Sequence, residues 1–277
     1  MSGYTGAVEA ARSYYNSDDA DNFYFHIWGG EDIHVGIYKS TDESIRDASR
    51  RTVTQMADLL GNLDKTTRVL DAGSGYGGSA RYLAKRFGCQ ITALNVAETE
   101  NTRNRQMTEE QGLSNLINVE DGSFEDIKAE NESFDVIWSQ DAVLHSGDRE
   151  KVMAEFARVL KPGGQLIFTD PMQADDCPEG VLDKVLQRIH LDTLGSIAFY
   201  REHLKMHGLQ EVGIEEMTQN LITHYGRVAQ ELKSHRAELK GKVSEDYIER
   251  MLTGLGHWVE AGEKGYLSWG ILHFRKS

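Results

Sequence analysis

The chain has 277 residues, enough to bury a full hydrophobic core without disulfide or metal staples. Hydrophobic residues make up 39%, mean hydropathy is -0.50, and no apolar run nears the roughly 20 residues that cross a bilayer, so no membrane partner is expected. Lysine plus arginine number 30 against 44 aspartate plus glutamate; the net charge of -14 repels phosphate backbones, so nucleic acid is not an expected partner either.

Such an acidic surface suits a cell with high internal salt, and equally an ordinary acidic enzyme. Cys89 and Cys177 lack CxxC spacing and read as reduced thiols. The opening MSGYTGAVEAARSYY has no apolar signal-peptide core, which makes the cytoplasm the expected compartment.

In chain order, residues 23–38 (FYFHIWGGEDIHVGIY) show neither the alternation of a strand nor the spacing of an amphipathic helix. A helix is predicted from Thr41, capped by Thr41 or Asp42 and stopped by Gly61. Strands are predicted at 67–71 (TRVLD), 90–95 (QITALN), 116–120, 134–139 (FDVIWS) and 165–170 (QLIFTD). Helices fall between them at 77–87, 98–111 and 149–160, the last closed by a turn at 161–164 (KPGG). This alternation predicts βαβ units and a doubly wound, mostly parallel sheet. Beyond Pro171 come helices at 179–194 and 196–208, a strand near 210–217, helices at 220–239 and 244–261, and a final strand at 266–274 expected to run antiparallel. The expected organisation is one domain over 1–277: a lid at 1–40, a binding core at 41–173, and a helical cap with the last strands at 174–277.

The strongest motif is VLDAGSGYGGSA at 69–80, where Gly73, Gly75 and Gly78 form GxGxxG between a strand and a helix. Glycines let the backbone turn sharply and approach a ligand, and the helix start offers free N–H groups. Asp71 ends the strand and points at the ligand crevice, where it would repel a pyrophosphate and welcome a cationic amino-acid head group. That opposes a nicotinamide dinucleotide and favours S-adenosyl-L-methionine (SAM).

These residues resemble the first motif of class I SAM-dependent methyltransferases. The resemblance implies a Rossmann-like α/β fold, a seven-stranded mostly parallel sheet with helices on both faces, an N-terminal lid and a helical cap between late strands. It also implies SAM as methyl donor, S-adenosyl-L-homocysteine as product, and no metal. At the end of the second strand, where this class holds the ribose with an acid, stand Asn95 and Val96; the amide departs from the pattern but can still bond hydroxyls. Similarity to the class places Asp121, Gly122, Ser123 and Phe124 beside the adenine, and Gln140 at the cofactor.

The fourth strand is followed by DAVLHSGD. Asp141 and His145, four apart, would share a helical face, with the carboxylate orienting an imidazole that serves as base or substrate-positioning group. The same D-x-x-x-H spacing resembles phosphoethanolamine N-methyltransferases, and the N-terminal segment resembles sterol and cyclopropane-type methyltransferases. Over nearly its whole length the chain resembles the sarcosine/dimethylglycine N-methyltransferase group, which completes glycine betaine synthesis, an osmoprotectant route. It does so through YYNSDDADNFYFHIWGGEDIHVGIY, SQDAVLHSGD and LIFTDPM. That implies a small amino-acid substrate and a monomer or homodimer.

A trimethylated product is a quaternary ammonium, which aromatic faces bind. Tyr24, Trp28, Tyr200, Tyr225, Trp258 and Trp269 are the available rings, and Arg201 or Arg227 could hold the substrate carboxylate. Tyr15, Tyr24 and Trp28 would close the lid over the cofactor, Gly29 and Gly30 would permit its bend, and resemblance to related lids places His34 near the methionine carboxylate. His203 and His207 read as surface histidines, and Asp170, Asp175 and Asp176 as a solvated acidic loop rather than a magnesium site. Competing readings are methylation of phosphoethanolamine or another small amine, sterol-type C-methylation, and a non-catalytic SAM sensor.

Overall fold

Period-two alternation of large apolar side chains builds the central sheet of the computed structural model, which describes residues 4–189 and 191–277. Val69, Val136, Trp138, Ile167 and Ile271 face one side, while Leu70, Ile137, Leu166, Phe168, Leu272 and Phe274 face the other. Both faces are therefore buried, as a parallel sheet under helices requires.

The arm opens with α1 (Gly6–Tyr15) and α2 (Asp18–Phe23), continues through a π-helical turn at Tyr24–Trp28, and reaches α3 (Ile45–Leu60). The core follows as β1 (Arg68–Ala72), α4 (Gly78–Phe87), β2 (Gln90–Asn95), α5 (Glu98–Glu110), β3 (Ile117–Asp121), β4 (Phe134–Gln140), a 3₁₀ turn at Val143–His145, α6 (Arg149–Val159) and β5 (Leu160–Thr169). Then come β6 (Met172–Gln173), α7 (Asp183–Ile189), α8 (Ile197–Met206), β7 (Leu209–Glu216), α9 (Thr218–Ser234), α10 (Glu245–Glu263), β8 (Leu267–Ser268) and β9 (Gly270–Lys276). The seven-stranded sheet has the order β3-β2-β1-β4-β5-β9-β7; β9 is antiparallel to both neighbours, and β6 pairs with β8 apart from it. The order reverses beside β1, so the carboxyl ends of β1 and β4 flank the crevice where such sheets bind ligands.

Several boundaries move from those expected. The helix after the arm is capped by Ser44, whose hydroxyl accepts from the Asp47 amide, because Glu43 is drawn to Arg51 and the Lys39 amide. The KPGG turn is absorbed into β5 as a register shift against β4. The helix expected at 179–194 shortens to Asp183–Ile189: Gly180 holds a left-handed φ of 78° before it, and the Leu191 amide closes it onto the Leu186 carbonyl. His190 lies outside the described residues. Within residues 23–38, which looked irregular, Phe23 ends α2 and Tyr24–Trp28 form a π turn whose wider pitch brings Phe23, Tyr24 and Trp28 together into a core with α9 and α10.

The arm is clamped to the glycine loop. The buried Tyr76 hydroxyl donates to the Asp21 carboxylate at 2.9 Å, and Arg103 from α5 donates to the same carboxylate at 2.7 Å. Tyr76→Phe should cost about 1–3 kcal/mol in urea denaturation and speed amide exchange in α2. Unchanged stability and exchange would show that the clamp contributes nothing.

Candidate active site

The glycine loop shapes the first cavity. Gly73, Gly75 and Gly77 have φ of 81°, 48° and 76°, a region that disfavours any side chain. A Cβ on Gly78 would lie 2.1 Å from Asp32 Oδ1, so the arm rests directly on the start of α4. The cavity is lined by Asp71, Gly73, Gly75, Gly78, Asn95, Val96, Ser123, Phe124 and Gln140 from the core, and by Tyr15, Asp32 and His34 from the arm.

Six buried polar atoms of this lining have no hydrogen-bond partner among the described residues: Asp71 Oδ2, Asp32 Oδ1, Ser74 Oγ, Glu100 Oε1, His34 Nε2 and Gln140 Nε2. The Gln140 carbonyl oxygen is taken by the Ser79 hydroxyl and the Trp138 indole, which leaves its amide as a donor. Burial pushes Asp71 up to about 7, Asp32 to about 6 and Glu100 to about 7. Burial holds His34 down at about 4, partly offset by Asp141. Carboxylates for an ammonium, an amide donor for a carboxylate and an acid near Asn95 for ribose hydroxyls together fit SAM.

Glu100 was missed in the sequence. It sits in the first turn of α5 and accepts from Asn95 Nδ2 at 2.8 Å, so the acid absent from the end of β2 is present five residues later. Its signal was an acidic helix start directly after the expected ribose position. Asp32 was missed for a different reason: its position depends on the arm folding back, where Arg50 holds its other oxygen at 2.7 Å.

Asp121 does not line the cavity. Its exposed carboxylate is occupied by Asn101 at 2.8 Å and Arg105 at 2.6 Å, and Gly122 likewise falls outside the lining, its amide bonded to the Asn95 carbonyl. Ser123 and Phe124 remain at the wall.

Asp141 and His145 both line the cavity, but not as a hydrogen-bonded pair among the described residues. The segment is a 3₁₀ turn rather than an α-helix, and Asp141 lies before it at φ 49°. Its carboxylate accepts from the Val35 amide at 2.6 Å and the Trp269 indole at 2.9 Å. His145 Nε2 instead meets the Tyr15 hydroxyl at 3.0 Å. Desolvation, then the nearby Arg188 charge, push its imidazole down to about 4, so it is neutral at ordinary pH. Asp170 is no solvated loop residue: fully buried and pushed up to about 7 by that burial, it accepts from the Leu144 amide and the Tyr200 hydroxyl. It thereby fixes the turn that carries His145. Asp175 accepts from the Ala198 amide in the first turn of α8, which Ser196 caps, and both it and Asp176 are exposed. His203 lies 3.9 Å from Glu150, and His207 is exposed on the far end of α8.

A second chamber of about 670 Å³ adjoins the first, and Tyr15, Ile33, His34, Asp141 and His145 line both. Its walls include Tyr14, Tyr24, Trp28, Tyr225, Tyr247, Trp258 and the Arg188 guanidinium. Three expected substrate residues are elsewhere. Tyr200 is fully buried under the sheet, bonded to Asp170 and packed on Phe168. Arg201 is exposed and paired with Glu211 at 2.6 Å, and Arg227 turns to Glu231 at 2.7 Å. Trp269 is buried behind Asp141. Arg188, Tyr14 and Tyr247 were not picked from the sequence, where nothing marks them as neighbours.

Sheet topology and cavity together define a class I SAM-dependent methyltransferase, an enzyme with SAM as its cofactor. A family model described as a methyltransferase domain matches residues 70–168. A sarcosine/dimethylglycine N-methyltransferase of Halorhodospira halochloris is 57% identical over 270 residues, covering 98% of this chain and 97% of that protein. A solved structure from Galdieria sulphuraria, assigned provisionally as a sarcosine dimethylglycine methyltransferase, aligns with a TM-score of 0.91 at 45% identity, covering 95% of this chain and 99% of that one. Phosphoethanolamine N-methyltransferase 2 of Haemonchus contortus, in complex with SAM, aligns with a TM-score of 0.83 at 18% identity, over 99% of this chain and 60% of that one, and shares the fold alone. The chain belongs to the sarcosine/dimethylglycine N-methyltransferase family.

The raised carboxylates predict a pH effect. Asp71, Asp32 and Glu100 have folded values above their unfolded ones, so their contribution to stability is present at low pH and is lost as pH rises through about 6 to 7. A bound ammonium favours their charged forms. SAM affinity should therefore rise between about pH 5 and 7 and then level, with proton release visible by calorimetry in buffers of different ionisation enthalpy. Asp71→Asn should flatten that rise; an affinity indifferent to pH in the wild type would refute the pairing.

Proposed function

We propose that the enzyme methylates the nitrogen of sarcosine and then of dimethylglycine, yielding glycine betaine, with residues 1–40 as the lid that closes both cavities. The observation that carries the reading is the meeting of the two cavities at Tyr15, His34, Asp141 and His145: a polar, acid-lined one on one side and an aromatic one on the other. The 57% identity to the Halorhodospira halochloris enzyme supports the substrate class.

SAM, when bound, supplies an electrophilic methyl on a cationic sulfur. The chain's own residues have three tasks: to keep water out, to hold the amine in line with that methyl, and to leave its lone pair free. Tyr24, Trp28, Tyr225 and Trp258 surround the amine with ring faces that suit a gathering positive charge. The amine must arrive neutral. Burial that holds His145 at about 4 keeps its imidazole neutral, and the same burial lowers the proton affinity of an ammonium beside it. The neutral imidazole, bonded to the Tyr15 hydroxyl, is the base and the route for that proton. For sarcosine the new N–CH₃ bond leaves one proton to lose; for dimethylglycine the product is quaternary and keeps no proton.

The test is methyl-labelled SAM with glycine, sarcosine, dimethylglycine, phosphoethanolamine and a sterol. Label should appear in dimethylglycine and glycine betaine; transfer to phosphoethanolamine but not to dimethylglycine would overturn the reading. His145→Ala should lower kcat by about 10²- to 10⁴-fold, and Tyr15→Phe by less. Turnover unaffected by His145→Ala would remove the histidine from the mechanism.

A further inference from the structure

We propose that Arg188 is the carboxylate anchor of the aromatic chamber, the residue by which the enzyme tells an amino acid from an uncharged amine. The inference rests on the amino-acid reading above and assigns its recognition to one side chain.

Arg188 projects from α7 into the chamber wall, and its only described hydrogen bond is to the Met251 sulfur at 3.2 Å, a weak acceptor. Among the described residues no carboxylate forms an ion pair with it, in a chain with 44 acids to 30 bases. The two arginines favoured by sequence both end on glutamates instead. The phenols of Tyr14, Tyr24, Tyr225 and Tyr247 lie near Arg188. Burial pushes Tyr24, Tyr225 and Tyr247 above the ordinary phenol range, so these three are neutral and do not cancel the guanidinium. A withdrawn cation without a counter-ion costs free energy and persists where a ligand supplies the anion.

The fold makes room for this side chain. A Cβ on Gly254 of α10 would stand 2.1 Å from Arg188 Cδ and 2.5 Å from Nε, so the guanidinium reaches the chamber only because α10 carries glycine there. The indole N–H groups of Trp28 and Trp258, which line the same chamber, also have no described partner. The wall thus offers unpartnered donors, as a carboxylate receptor requires. The Arg188 charge is also felt at His145, which puts the anchor and the Tyr15–His145 pair within one field. A substrate carboxylate at Arg188 would neutralise that charge and leave the amine end toward the rings.

The discriminating pair of substrates is dimethylglycine and N,N-dimethylethanolamine, which share the amine and differ in carboxylate against hydroxyl. Arg188→Gln should raise KM for dimethylglycine about 10- to 100-fold, leave KM for SAM unchanged and narrow the preference over dimethylethanolamine. Arg188→Lys should recover part of the loss. Gly254→Ala removes no charge but displaces the arginine stem, and should raise KM in the same direction. A folded Arg188→Gln enzyme, checked by thermal melting, with the wild-type KM and preference would overturn the anchor. Calorimetric titration of dimethylglycine into protein loaded with S-adenosyl-L-homocysteine reads the anchor without turnover. Binding at least about tenfold tighter to wild type than to Arg188→Gln supports it, and equal binding refutes it. Tight, Arg188-dependent binding with no methyl transfer would sink the proposed reaction and leave the anchor standing.

Discussion

The Asp141 carboxylate accepts from the Val35 amide and the Trp269 indole, and so ties the arm, the end of β4 and the approach to β9 to one point. Withdrawing a carboxylate from water is costly, and the two directed donors offset part of that cost. The left-handed backbone at Asp141 aims the side chain there. Because Val35 follows Asp32 and His34, the same contact sets Asp32 over Gly78 and His34 between the two cavities. Closing the arm over one cavity therefore completes a wall of the other.

The two cavities carry opposite electrostatic character. On the cofactor side are Asp71 and Glu100, buried acids with no ion pair among the described residues, and Asp32, which Arg50 pairs on one oxygen only. On the chamber side is Arg188, a cation short of an acid. Between them stand two neutral histidines, His34 and His145, each held down at about 4, chiefly by desolvation. With the anchor proposed at Arg188, a small zwitterion between such poles would turn its carboxylate to the arginine and its amine to the methyl-donor side. Orientation then comes from the field of the site as well as from shape, which matters for a substrate much smaller than its chamber.

Much of the scaffold was legible in the chain. Short, mostly apolar runs marked β1, β2, β4, β5 and β9, because each strand must bury both faces. The glycine loop was legible because only glycine tolerates its backbone, and Asp71 because it stands at a strand end beside that loop. Ring-rich residues 23–28 announced a buried arm, although the π turn that gathers them was invisible to a search for period two or 3.6.

The partners of individual side chains were not legible. Asp141 and His145 have helical spacing, yet a 3₁₀ turn and a left-handed residue part them, and the arm supplies each with a different partner, Val35 and Tyr15. Asp170 read as loop and is the buried support of that turn; Tyr200 read as a pocket ring and is the support's donor. Arg201 meets Glu211 of β7 and Arg227 meets Glu231 of its own helix, whereas Arg188 lies opposite a glycine on a helix more than sixty residues further along. Local sequence determined the strands, the loop and the cofactor class, because backbone sterics and burial act between near neighbours. Tertiary structure alone decided which acid meets Asn95, which histidine is paired and which arginine lacks an acid among the described residues, because those depend on contacts between segments apart in the chain.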